Sequence, residues 1–169
     1  MQDLNEAFNI LLQHYRHDFL NILQVIGGLA QLQKPDRLLA YIHKASEEVH
    51  QFGRFIGCGD ARLALIIFNI LLQNLSGHYV LHIEGTMPLL AVETLQKLTP
   101  TLLTTKDCLQ ELKDFTIFIS LEGGAHPTLR LRLLDKNAAI WQPAVEIAKQ
   151  NNLQAVLNTE NGEFSLCLG

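Results

Sequence analysis

Residues His14–Leu29 read HYRHDFLNILQVIGGL, and the fold turns on this stretch. Its apolar residues belong to a longer stripe, Leu4, Phe8, Leu11, Tyr15, Phe19, Ile22, Ile26 and Leu29, spaced by three or four, which is the period of one amphipathic helix. The stretch also carries His14, His17, Asp18 and Asn21, and then the adjacent glycines Gly27 and Gly28, where a helix favours alanine. A helix that places titratable groups off its apolar face and tolerates two weak positions is being used for more than packing.

Downstream, Lys34-Pro35-Asp36 ends the first helix, because proline is excluded from a helix interior and Asp36 suits the cap of the next one. In the second helix Leu38, Ile42, Ala45, Val49, Phe52 and Ile56 alternate steps of four and three, a heptad seam. The run GCGD, residues 57–60, breaks this pattern and offers Asp60 as the next cap. We therefore read residues 1–57 as a helical hairpin. So small a core contributes only about 3–5 kcal/mol by itself. A second copy would bury both stripes in a dimeric four-helix bundle. The alternative is packing of the hairpin on its own C-terminal part.

After Asp60 the pattern becomes mixed. Residues 61–75 read as helix, and YVLHIEG (79–85) as a strand. Residues 89–112 are helical in composition, with Pro100 expected to start a new helix or kink this one. FTIFISLE and TLRLRLLD alternate about a GGAHP loop, and LQAVLN and EFSLCLG flank TENG, which predicts two hairpins. WQPAVEIAKQNN is a short helix. Residues 58–169 are thus expected to form a small α/β domain of about four strands and three helices, making the fold class α plus α/β.

The chain has 169 residues, 48% of them hydrophobic and 18% charged, so a packed core is expected. The net charge of −4 with no basic run argues against nucleic acid as a partner. The cysteines, Cys58, Cys108 and Cys167, are far apart and lack metal-binding spacing, as suits reduced thiols. The longest apolar run, LALIIF from Leu63, falls short of the roughly 18 residues of a membrane span. The acidic start MQDLNEAF has no signal-peptide pattern. A cytoplasmic protein is expected.

On a wheel at 100° per residue, Tyr15 and Phe19 lie about 200° from His17, so His17 points away from the buried stripe. Asn21, Gln24 and Gly28 follow on its face, with Asp18 beside it and His14 one turn back. A neutral imidazole, with a pKa of about 6.5, is a good nucleophile near neutral pH. It attacks through one nitrogen when a partner such as Asp18 holds the proton on the other. Asn21 can donate to phosphoryl oxygens or place a water. Surface histidines beside acids are also common, and an exposed pair alone says little. A metal site on His14, His17 and Asp18 has too few ligands at suitable spacing.

The run RHDFLNILQVIGGLAQLQK, residues 16–34, resembles the phosphoacceptor segment of the sporulation initiation phosphotransferase B family. It is similar also to the related sensor kinases for citrate and dicarboxylates. The matching positions are Arg16, His17, Asp18, Asn21, Leu23, Gln24, Ile26 and Gly27. The order of parts, helical hairpin then small α/β domain, agrees as well. The resemblance implies that His17 is the phosphorylated residue, assisted by Asp18 and Asn21, and that the C-terminal domain is a kinase ATP-binding domain. Yet the asparagine-bearing helix, the Asp-x-Gly-x-Gly loop and the second glycine-rich loop of such a domain are missing. The helix reads LQKLTPTLLTTKDCLQEL, and LLDKNAAIW stands where Gly-x-Gly is needed. With 13 residues before His14, no sensor region is expected either. The implied function is a histidine phosphotransferase, which carries a phosphoryl group between aspartates of two response regulators. The chain itself would bind no nucleotide, cofactor or metal, and the receivers would supply Mg²⁺. A non-catalytic dimeric adaptor and a receiver phosphatase using Asn21 are the rivals.

His17 lies about 18 residues before Pro35, so antiparallel pairing sets it level with residues 52–54. The expected receiver contact therefore combines His14, Leu20, Gln24 and Gly28 with Gln51, Arg54 and Phe55, the last three read as lying nearer the surface than the seam. Gly27 and Gly28 would let a neighbouring backbone come close, or merely bend the helix.

Overall fold

The computed structural model describes residues 2–73, 75–134 and 138–169, with side chains from Asn5 onward. The side chain of Leu4 and residues 135–137 of the LLDKNAAIW segment lie outside the described residues. The chain divides into two compact units, Met1–Gly53 and Arg54–Gly169.

The first unit is the helical hairpin. Helix α1 spans Gln2–Gln31 and α2 spans Pro35–Ile56. Gln33 makes the turn with a left-handed φ of 52°. Pro35 is the first residue of α2 and Asp36 sits in its first turn, so Asp36 is not the cap that the sequence suggested. Proline at this position forgoes an N–H that would have no helical partner, and its fixed φ suits the helix start. Leu11, Ala45 and Phe52 are buried, and across the hairpin Tyr15 stacks on Phe52 at 5.4 Å between ring centroids. The hairpin is antiparallel as expected, but it is Tyr15 rather than His17 that meets Phe52. The stripe is only partly covered: Phe8 and Phe19 remain 45% and 43% exposed in the single hairpin.

The second unit is a five-stranded sheet with helices. In chain order it comprises α3 (Ala61–Ile67), β1 (His78–Glu84), α4 (Val92–Gln110), β2 (Thr116–Glu122), β3 (Thr128–Leu133), α5 (Gln142–Gln150), β4 (Gln154–Asn158) and β5 (Glu163–Cys167). A π turn, Phe68–Leu72, extends α3, and a 3₁₀ turn, Ala138–Trp141, precedes α5. The sheet order is β1-β2-β3-β5-β4. β1 and β2 are parallel and joined through α4, while the other neighbours are antiparallel. The count of about four strands is corrected to five, because all five alternating segments pair. Burial alternates along β2, β3 and β5, so one sheet face is covered and the other meets solvent. Pro100 neither starts a helix nor ends one: α4 runs through it, and the Thr99 and Thr104 hydroxyls donate to the Leu95 and Pro100 carbonyls. Trp141 is fully buried, donates Nε1–H to the Gly162 carbonyl at 3.0 Å and stacks on Phe164.

Asp60 does cap α3, accepting from the Arg62 backbone N–H at 3.1 Å. It does more besides. Its carboxylate also takes the Arg62 guanidinium at 2.9 and 2.7 Å and the Leu90 N–H at 2.9 Å, and Arg62 donates to the Leu90 carbonyl. Beside it, Met87 donates its N–H to the Cys58 carbonyl, and Gly59, at φ 116°, passes so close to Met87 that a Cβ would collide with its carbonyl.

Candidate functional site

His14, His17, Asp18 and Asn21 lie one helical turn apart on α1, which brings their side chains into one row. His17 is the most open of the three ionisable groups: its side chain is 74% exposed, against 48% for Asp18 and 30% for His14. Three contacts join the row. His14 Nε2 is 3.1 Å from Asp18 Oδ2. His17 Nδ1 is 3.3 Å from Asp18 Oδ1 and 3.2 Å from Asn21 Nδ2. Nδ1 is thus turned inward along the helix, and Nε2 has no hydrogen-bond partner among the described residues.

The two contacts at Nδ1 require opposite protonation. Asp18 accepts, so it needs the proton on Nδ1 and leaves a lone pair on Nε2. The Asn21 amide donates, so it needs a lone pair on Nδ1 and sends the proton to Nε2. With Nδ1–H donating to Asp18, the exposed Nε2 is a nucleophile, and the carboxylate faces the positive charge that the ring acquires on reaction.

The expected contact residues divide. Leu20, at 50% exposure, and Gln24 lie open on the His17 face, with Gly28 further along it. An added Cβ at Gly27 or Gly28 meets nothing within 4 Å, so among the described residues no backbone uses the space they leave. Gln51 is half-buried and donates to Glu47 at 2.9 Å. Arg54 is exposed and begins the second unit. Phe55 is corrected: it is fully buried and so presents no surface to a partner. The helical wheel had set α2 against a single neighbouring helix, whereas residues 54–56 already belong to the second compact unit. The sequence reading gave His14 to the receiver contact and missed its tie to Asp18, although the i, i+4 spacing was the available signal.

Other chemistry finds little support. Among the described residues no three His, Cys, Asp or Glu side chains converge as a metal site. Burial pushes the Cys58 and Cys108 thiols up, which makes both poor nucleophiles. Among the described residues no helix is long and apolar enough to cross a membrane.

Comparison with known proteins bears on the hairpin. No curated protein matches the chain. Among solved structures, the Acinetobacter baumannii histidine kinase AdeS is similar at 11% identity over 90% of this chain and 97% of that one, with a TM-score of 0.42. Residues 1–58, the segment that carries His17, match the family model described as the sensor kinase SpoOB-type, alpha-helical domain.

Proposed function

We propose that this chain is a histidine phosphotransferase of a phosphorelay, moving a phosphoryl group between the aspartates of two response regulators through His17. The observation that carries the reading is the state of His17: 74% exposed, with Nδ1 facing a carboxylate and Nε2 open. The lone pair of Nε2 forms the N–P bond as the acyl-phosphate P–O bond breaks, and the electrons of that bond leave on the donor carboxylate. Asp18 holds the Nδ1 proton and offsets the positive charge on the ring. Transfer to the acceptor reverses these steps on a second carboxylate. Docking sets the in-line geometry, and Mg²⁺ on the receiver neutralises the transferring group. The chain itself needs no nucleotide, cofactor or metal, because it only holds a nucleophile in place. It works in the cytoplasm, where response regulators are.

A second copy covers Phe8 and Phe19 and completes a four-helix bundle. The receiver rests on Leu20, Gln24 and Gly28 beside His17. Leu20→Asp, with oligomeric state and transfer measured separately, tests this contact. The expected result is lost transfer with the dimer kept. A lost dimer makes Leu20 core, and unchanged transfer removes it from the contact.

The decisive experiment incubates the pure protein with a receiver labelled on its aspartyl-phosphate. Acid-labile label on His17 that passes to a second receiver is expected. Release as inorganic phosphate instead would make the protein a receiver phosphatase, with Asn21 positioning water. Absence of any label on the chain would make it a non-catalytic adaptor.

A further inference from the structure

Asp18 is shared between two histidines, and only one of them is well exposed. His14 reaches Oδ2 at 3.1 Å from one turn back, while His17 meets Oδ1 at 3.3 Å. Each oxygen therefore lies within reach of its own histidine, and Oδ1 faces Nδ1. At that nitrogen Asp18 competes with the Asn21 amide, 3.2 Å away. An isolated imidazole side chain favours its proton on Nε2, and the Asn21 donor reinforces that choice. Something must tilt the balance if Nε2 is to carry a lone pair.

We propose that His14 is a positioning residue. By donating from Nε2 to Asp18 Oδ2 it holds Oδ1 on the His17 Nδ1–H, and so keeps His17 in the tautomer whose exposed Nε2 is nucleophilic. The inference rests on the phosphoacceptor reading of His17 given above. His14 suits the role because its side chain is less than half as exposed as that of His17, 30% against 74%, and so is the more restrained of the two. Without His14, Asp18 swings into water, Asn21 donates to Nδ1, and the proton moves to Nε2, where it blocks attack.

The test reads the tautomer and the chemistry separately. Ring ¹⁵N shifts of His17 are recorded on the full chain at about pH 8, above the ordinary imidazole range. Transfer is followed against concentration of a phosphorylated receiver. Wild type is expected to hold the proton on Nδ1. His14→Ala should move it to Nε2 and lower the saturating transfer rate about tenfold, less than the ~10²–10⁴-fold of losing acid–base assistance outright. The receiver concentration at half-saturation should not change. His14→Gln, which keeps an N–H donor, should retain both the tautomer and the rate. Asn21→Ala in the His14→Ala background should leave the proton on Nε2, since Asp18 is no longer held on Nδ1 and an isolated imidazole favours that tautomer. An unchanged tautomer in His14→Ala, a His14→Gln as slow as the alanine variant, or a shift in half-saturation alone would overturn the proposal. If wild type takes no label, the phosphoacceptor reading fails, while the tautomer of His17 still tells whether His14 sets it.

Discussion

His17 combines two properties that usually oppose each other, openness to a large partner and a fixed ring. Its partners are exposed, and such contacts contribute little to stability. In the proposed role they choose a ring orientation and tautomer. His17→Ala is therefore expected to abolish transfer while circular dichroism and oligomeric state stay unchanged, since His17 touches no core residue. Asp18→Ala should slow transfer by at most the ~10²–10⁴-fold typical of acid–base assistance. Asp60 presents the opposite case, a carboxylate at 0% exposure whose partners are all structural. Burial alone would push it up, but the Arg62 side chain and the Leu90 and Arg62 backbone N–H groups outweigh burial and hold its carboxyl below the usual carboxylate range. A lowered carboxylate pKa adds stability above the ordinary range, and this is lost as pH falls through the native value. The wild type should therefore lose stability in acid more steeply than Asp60→Ala, as thermal unfolding at several pH values will report. At neutral pH the variant should lose the cap, about 1 kcal/mol, and leave the buried Leu90 N–H unpaired, about 1–3 kcal/mol. The cap was legible from Gly59-Asp60 ending one pattern and starting another. The Leu90 contact was not, because nothing local links a cap to a backbone group 30 positions away.

At the scale of elements, legibility followed sequence separation. The α1 and α2 stripes, β2 with β3, and β4 with β5 are short-range patterns, and each formed as read. The insertion of β5 between β3 and β4, and the pairing of β1 with β2 across α4, depend on contacts that no local period encodes. Phe55 misled for a similar reason: its wheel position was read for one neighbouring helix, yet it belongs to the second compact unit and is fully buried. The paired glycines in α1 yield a prediction of their own. None of the described residues occupies the space above them, so Gly28→Ala should raise the stability of α1 by roughly 1 kcal/mol. If the receiver or second copy uses that space, the same substitution slows transfer or weakens the dimer. Slower transfer with higher thermal stability is the expected pair of results, because Gly28 lies on the His17 face.

The whole molecule joins a hairpin that carries the His17 cluster to a sheet domain whose sequence lacks glycine-rich phosphate loops. Calorimetry is expected to show neither ATP nor ADP binding in the micromolar range, and incubation with ATP should leave His17 unlabelled. The five-stranded sheet also has a history in time. The β2–β3 and β4–β5 hairpins each close a short loop, whereas the parallel β1–β2 pair waits until α4 has formed and brought the two strands together. β1 also lies at the sheet edge, with one neighbour only. It should be the last strand to acquire amide protection during refolding. In the native state its amides should exchange ahead of those of β3, which is held on both sides by antiparallel partners.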